Sequence, residues 1–345
     1  MQLSDRESPH RPAVVTGASG WLGQNLVRSL LAQGRTVHAL CAAPDEAPLL
    51  EVLSPAVHAS VGDVRDPSSL DALFAGVGEV TVFHVAAVIH PATVRDFFDV
   101  NVGGTELVLD AARRAQASRF VHVSSNSQFG ANDRPTDRFV EDSPFNPYMG
   151  YGASKLEAEQ IVMRNHERGD VDAVIVRAPW FYGPYQPPRQ SQWFRAVRKG
   201  RFPMVGDGTQ QRSMVFTEHL VQGLLRAEAT PAASGRAYWI ADAEPYELRT
   251  VLATVRDALA AEGLPVSGGR PRLPRVAGVV AEKLDGVLQS RGRYVQALHV
   301  LGELKDTIAC DISRARAELG FDPRTSLLDG MRASIRYCLQ HGEIL

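Results

Sequence analysis

The chain predicts an α/β fold, a doubly wound parallel sheet with a smaller, discontinuous α+β part towards the C-terminus. Short apolar, β-branched runs alternate with helical stretches as far as Arg177. A glycine-rich turn joins the first run to its helix, and beyond Arg177 the pattern breaks into a loop rich in aromatics and proline.

The first segment reads Pro12-Ala13-Val14-Val15-Thr16-Gly17-Ala18-Ser19-Gly20-Trp21-Leu22-Gly23, and a helix follows over residues 25–31. Strand, glycine turn and helix in this order are what a dinucleotide site needs. Glycines let backbone N–H groups approach a pyrophosphate, which the positive end of the helix also attracts. A turn without a ligand is the plainer alternative for the triplet alone. A second strand is expected over residues 36–40 and a third over residues 57–61, running into Gly62-Asp63-Val64. In such folds Asp63 can accept from an adenine amino group; otherwise it is a helix N-terminal residue before Pro67.

Tyr151 and Lys155 stand four residues apart in Tyr151-Gly152-Ala153-Ser154-Lys155. Leu156, Ala158, Glu159 and Ile161 support a helix there, so the two side chains share a face. An unperturbed phenol has a pKa near 10 and trades protons at neutral pH only where its phenolate is stabilised, which a neighbouring ammonium does. An ordinary surface Tyr and Lys would show the same spacing, so the glycine turn and the serines Ser124 and Ser125 upstream matter.

After Arg177, Trp180-Phe181-Tyr182-Gly183-Pro184-Tyr185-Gln186-Pro187-Pro188 reads as a loop, followed by a helix over residues 191–199 and another over 215–227 returning to the sheet. The expected division is a nucleotide-binding domain at 11–179, with 212–230 returning to it, and a substrate part at 180–211 and 236–345. Near the end, Val276, Val279, Val280, Leu284, Val287 and Leu288 lie at amphipathic spacing. That helix reads as a lid over a hydrophobic substrate, a membrane-surface contact, or plain packing on its own domain.

With 345 residues and 44% apolar content, the chain can bury a large core. A net charge of −2 gives no case for nucleic acid. Lysine occurs only at Lys155, Lys199, Lys283 and Lys305, which makes Lys155 less casual. Cys41, Cys310 and Cys338 lack metal spacing, and no metal is expected. They suit a reduced, cytoplasmic protein, and no run approaches a membrane span.

Seven ordered pieces make the sequence resemble an extended short-chain dehydrogenase/reductase of the NAD-dependent epimerase/dehydratase family. They are Thr16-Gly17-x-x-Gly20-x-x-Gly23, Gly62-Asp63-Val64, His84-Val85-Ala86-Ala87, Asn101-Val102-x-Gly104-Thr105, Val123-Ser124-Ser125 with Gly130, Tyr151-x-x-x-Lys155, and Arg177-Ala178-Pro179. The resemblance implies a Rossmann-type sheet, a homodimer and a small-molecule substrate. Tyr151 would be the general acid/base at the carbinol or carbonyl oxygen, with Lys155 binding the nicotinamide ribose and depressing the Tyr151 pKa. Ser125, selected over Ser124 by its spacing to Gly130 and Tyr151, would hydrogen-bond the same oxygen. Cofactor contacts would come from Gly17, Ser19, Gly20, Trp21, Leu22, Gly23, Cys41, Asp63, Val64, Ala86, Ala87, Tyr151, Lys155 and Pro179. Asn101 would bend a helix or hold water.

For the substrate, Ser125, Asn126, Trp180, Tyr182 and Arg212 are the expected contacts. Asn126 and Ser127 stand where dehydratases of this family carry an acidic pair, which argues against a 4,6-dehydratase. Arg212 keeps a nucleotide-sugar epimerase alive as the alternative, since a guanidinium suits a diphosphate. Trp180, Phe181, Tyr182 and Tyr185 at the pocket entrance would suit an apolar substrate, with hydrophobic packing beneath the loop the expected role of at least two of them. The segments 235–245 and 310–321 resemble the 3β-hydroxysteroid dehydrogenase branch. The expected cofactor is NAD or NADP. Leu40-Cys41-Ala42-Ala43-Pro44 ends the second strand with neither acid nor arginine. NAD is favoured, because a 2′-phosphate without a cation loses more than a hydroxyl facing water. Arg35 or another arginine would reverse that choice. The expectation is therefore an NAD(P)-dependent oxidoreductase acting on a bulky, mostly apolar alcohol or ketone. A dinucleotide-sensing protein on the same fold is the reading from another class, disfavoured because Ser125, Tyr151 and Lys155 are all present.

Overall fold

The computed structural model describes residues 11–269 and 271–345. The apolar runs form strands β1 (Ala13–Thr16), β2 (Val37–Cys41), β3 (Val57–Val61), β4 (Thr81–His84), β5 (Arg119–Ser125) and β6 (Ala173–Ala178). Three short strands follow, β7 (Trp180–Tyr182), β8 (Met204–Val205) and β9 (Gln211–Arg212), then β10 (Met214–Phe216), β11 (Ala237–Trp239), β12 (Tyr246–Glu247) and β13 (Arg272–Leu273). The helices are α1 (Trp21–Ala32), α2 (Ala47–Glu51), α3 (Pro67–Phe74), α4 (Val94–Phe98), α5 (Gly104–Arg114), α6 (Met149–Glu167), α7 (Pro188–Arg198), α8 (Thr217–Ala229), α9 (Leu248–Ala261), α10 (Arg275–Ser290), α11 (Gln296–Glu303), α12 (Ser313–Leu319) and α13 (Leu327–Gln340).

Seven strands in the order β11-β6-β5-β4-β1-β2-β3 make one parallel sheet. Strands β1, β4 and β6 are buried throughout, as a sheet covered on both faces requires. On one face Leu22, Leu26 and Leu30 of α1 and Leu220 and Leu224 of α8 pack on Val15, Phe83, Val121 and Val176. On the other, Leu70, Val108, Leu109, Ile161 and Val162 from α3, α5 and α6 pack on Val14, Val82, Phe120 and Ile175. Because β1 lies between β2 and β4, their connections leave it in opposite directions. That switch point opens a crevice at the carboxyl ends of the strands.

A separate core of Trp193, Phe194, Val251, Val255, Met331 and Ile335 joins α7, α9 and α13 under Tyr182 and Phe216. Two details depart from the sequence reading, and a third concerns the helix whose role it left open. Val215 and Phe216 belong to β10, which pairs with β7 before α8 begins. Residues 237–239, expected in the substrate part, form the seventh strand, with Tyr238 opposite Val176. The apolar positions of α10 face outward, while Gly278, Ala281, Asp285 and Gln289 are buried.

Candidate active site

At the glycine turn the backbones pass too closely for side chains. A Cβ on Gly17, whose φ is +66°, would lie 2.8 Å from the Ala86 Cα, and one on Gly23 would lie 2.1 Å from the Gly17 carbonyl oxygen. Gly20 precedes α1 with no side-chain cap and no acidic residue in the first turn, so its positive end is open to an anion. The residues present therefore fit a dinucleotide pyrophosphate. The Trp21 indole donates to the Gly183 and Pro184 carbonyls at 3.2 and 2.9 Å, and its ring packs on Phe181 at 4.7 Å. That clamp ties the turn to the loop after β7.

Beyond β2, at the start of α2, stands an acid that the sequence reading did not single out. The Glu46 carboxylate folds back to accept from the Ser19 hydroxyl at 2.7 Å and from the Ala42 and Ala43 amides at 3.0 and 3.2 Å. Cys41 is fully buried beneath it, and burial pushes its thiol up to about 11. Arg35 is not available there, because its guanidinium forms a two-pronged pair with Glu228 at 2.7 and 2.8 Å. Asp63 pairs with Arg65 at 2.6 Å and is held below the usual carboxylate range by it, while Asp66 caps α3. Val64 is buried against Gly104, Ala86 and Ala87 are partly buried beside the turn, and Pro179 is buried after β6.

The strand end of β5 and the first turns of α6 bring Ser125, Tyr151 and Lys155 together. Tyr151 is half-buried; burial pushes its phenol up to about 12, and the hydrogen bond with Ser125 pulls the other way. The Ser125 hydroxyl lies 3.3 Å from the Asn126 side-chain oxygen and accepts from the Ser127 hydroxyl at 3.0 Å. Lys155 is buried, and its ammonium donates to the Val123 carbonyl at 2.8 Å. Desolvation lowers it to about 8 against the opposing charge of Glu159. The expected depression of Tyr151 by Lys155 is not seen in this conformation, because the ammonium is turned to the sheet. Ser124 is buried with no partner for its hydroxyl.

Behind the pair, a chain of polar groups spans the sheet. Asn101 sits in a π-helical turn (Asp99–Gly103) between α4 and α5. Its amide donates to the Ser154 hydroxyl at 3.0 Å and pairs with both polar atoms of the Val88 backbone. The Thr105 hydroxyl donates to the Asn101 carbonyl at 2.6 Å, so it accepts from His84 Nε2 at 2.9 Å, and His84 Nδ1 then accepts from Thr16 at 2.8 Å. His84 is thus neutral, and burial lowers it to about 3. His122 stacks beside it with both ring nitrogens unpartnered.

The opposite wall comes from residues the sequence reading did not single out. Phe97 touches the Tyr151 ring at 5.7 Å and Tyr294 at 5.3 Å, and the Tyr294 hydroxyl meets His90 Nδ1 at 2.7 Å. On α10 and α11, Asp285 lies 2.8 Å from His299 Nδ1 and accepts from Gln289 at 2.8 Å. Gln289 in turn accepts from the Gly150 amide at 3.1 Å, which ties α10 to the turn carrying Tyr151. The Tyr148 hydroxyl, Arg212 Nε and one Asp285 oxygen are buried there without partners. Polar spacing inside an apolar helical pattern was the available signal for Asp285 and Gln289.

One expected substrate contact is corrected, Tyr182, while Trp180 stays half-buried. Tyr182 is wholly buried and donates to Asp242 at 2.7 Å, which makes it a core residue beneath the loop. Trp180 packs on Trp193 at 5.1 Å, against the separate core. Phe181 and Tyr185 are likewise engaged, by Trp21 and by Tyr337 at 4.8 Å. Arg212 is buried and donates to the Glu303 carbonyl. Asn126 adjoins Ser125.

The chain is similar to known proteins over nearly its whole length. An uncharacterized protein of Sinorhizobium fredii is 39% identical over 342 residues, covering 96% of each chain. The 4-hydroxy-2-methyl-3-oxo-4-farnesyl-3,4-dihydroquinoline-1-oxide ketoreductase of Stigmatella aurantiaca is 32% identical over 92% of this chain and 94% of its own. The dTDP-glucose 4,6-dehydratase of Streptomyces venezuelae, solved with NAD bound, shares the fold at a TM-score of 0.76 and 23% identity, over 95% of this chain and 97% of that one. The model of the NAD dependent epimerase/dehydratase family matches residues 13–241, and the chain belongs to that family, as an enzyme of the extended short-chain dehydrogenase/reductase group.

Proposed function

We propose that the chain interconverts a secondary alcohol and a ketone on a bulky, mostly apolar substrate, with NAD as cofactor. Ser125 placed beside Tyr151, against an aromatic wall of Phe97 and Tyr294, carries this reading. A bound nicotinamide supplies or takes the hydride. Tyr151, protonated at neutral pH, delivers its phenolic proton to the ketone oxygen as charge develops there, and Ser125 donates to the same oxygen. In the reverse direction Tyr151 accepts the alcohol proton. Lys155, lowered to about 8 and so still mostly protonated at neutral pH, would favour the phenolate by turning its ammonium from the Val123 carbonyl to Tyr151. The farnesylated ketone named for the Stigmatella relative is of the same substrate class. Neither Asn126 nor Ser127 supplies the acid that a dehydratase would use at those positions.

Glu46 supports NAD over NADP. Its carboxylate sits at the end of β2, where it would accept from a ribose 2′-hydroxyl and repel a 2′-phosphate. Titrating tryptophan fluorescence with each reduced cofactor tests this. Glu46→Gln is expected to weaken NADH binding roughly tenfold and to improve NADPH binding; unchanged ratios would remove Glu46 from the assignment. A homodimer through α4, α5 and α6 and a cytoplasmic location remain proposals, tested by light scattering and by cell fractionation.

The second reading, a nucleotide-sugar epimerase, rests on Arg212, whose Nε is buried without a partner. Following nicotinamide absorbance with bulky ketones, beside UDP- and GDP-sugars assayed for epimerised product, separates the two. Net cofactor oxidation lost in Tyr151→Phe supports the proposal; sugar epimerisation without net oxidation replaces it. A dinucleotide sensor would show neither, with Tyr151→Phe changing nothing.

A further inference from the structure

The outer face of α10 has no part in the site described above. Val276 is 62% exposed, Val279 37%, Val280 50%, Leu284 50% and Val287 49%. At about 100° per residue these five fall on one side of the helix, opposite the buried Gly278, Ala281, Asp285 and Gln289. Val295, 37% exposed, extends the stripe into the turn before α11. Exposed apolar residues scattered singly need no explanation, but a continuous stripe marks an interaction surface.

The charges around the stripe say what covers it. Lys283 and Arg291 lie within or beside it, Arg272 precedes it and Arg293 follows, all exposed. Among the described residues no carboxylate forms an ion pair with any of these four. The two acids of α10 are taken elsewhere, Glu282 by Lys305 at 3.0 Å and Asp285 by His299 at 2.8 Å. This basic, apolar face stands on a chain whose net charge is −2. A second copy is a poor occupant. An antiparallel two-fold contact of α10 with itself about Lys283 would set Lys283 against its own image and Arg291 against Arg275. A surface that is negatively charged outside and apolar beneath matches both features, with the basic side chains reaching the head groups while the valines insert.

We propose that α10 docks on an anionic phospholipid surface, lying in the plane of the interface. No helix among the described residues is long and apolar enough to cross a membrane, so the contact is peripheral. The inner face of the same helix reaches Gly150 through Gln289, so docking sets the cleft beside Tyr151 against the lipid.

Sedimentation with vesicles tests the surface without any substrate. Wild-type protein is expected to pellet with phosphatidylcholine/phosphatidylglycerol vesicles, to bind pure phosphatidylcholine roughly tenfold less, and to be released by salt. Val280→Asp/Leu284→Asp and, separately, Lys283→Glu/Arg291→Glu are expected to lose binding by a similar factor while keeping NADH affinity and circular dichroism. Failure of wild type to pellet, or pelleting equal in both variants and wild type, overturns the proposal. So does a dimer seen by light scattering that Val280→Asp/Leu284→Asp dissolves in a protein that does not pellet. Because binding is read without turnover, a failed ketone assay leaves this outcome standing, and the converse holds.

Discussion

Helices α6 and α10 both border the cleft and both bury polar side chains, yet to different ends. The inward side of α6 carries Ser154, Lys155 and Glu159, each with a partner: Asn101, the Val123 carbonyl, and the Arg177 and Gln128 side chains. The inward side of α10 carries Asp285 and Gln289, while its apolar residues face out. On α6 the polar groups are anchored into the sheet, so their positions are rigid. On α10 one carboxylate oxygen has no partner, and the helix is held at the site by His299 and Gly150. Buried polarity thus fixes a catalytic pair on one wall and joins a covering helix to it on the other.

The largest effect should come from the chemistry on α6. Tyr151→Phe is expected to lower kcat by about 10²–10⁴-fold with NADH affinity unchanged, measured on whichever ketone turns over. Equal activity in the variant would break the assignment of that wall.

On α10, Asp285→Ala strands His299 and Gln289 and is expected to cost about 3 kcal/mol in urea unfolding, with a rise in KM as the cover loosens. Val280→Ser on its outer face should stay within about 0.5 kcal/mol of wild type. Comparable losses from both would mean that the helix merely packs.

Lys155 gives a pH signature that α10 lacks. Its folded pKa is lowered to about 8, so between pH 8 and roughly 10 the unfolded chain binds more protons and stability rises with pH. Lys155→Met should remove that rise, on the order of 2–3 kcal/mol, in unfolding midpoints taken across the window. Identical slopes would place the ammonium in a wetter site than its burial implies.

A small effect is also expected in the sheet beneath α6. His122 is neutral and unpartnered, and its pKa lies well below the ordinary value through burial. His122→Leu should therefore be neutral or stabilising by about 1 kcal/mol, and should reduce the stability lost as pH falls below about 6.5. A marked loss in calorimetry would point to a bonded water at that ring.

What could be read from the sequence was local. The β-branched runs, Gly17 and Gly23, and the four-residue step from Tyr151 to Lys155 express backbone geometry over a few residues, and the structure has each where the pattern puts it. The tertiary structure decided what depends on residues distant in the chain or on irregular turns. Glu46 lies outside the position where a ribose acid is looked for, and only the turn after β2 brings it back to Ala42. Trp21 reaches Pro184 across 163 positions, and Asp242 claims Tyr182 across 60, turning an expected pocket aromatic into core. The amphipathic pattern of α10 was visible, but not which side faced inward. Periodicity reports that a helix has two faces; only its neighbours, here Gly150, His299 and Lys305, decide which one is buried.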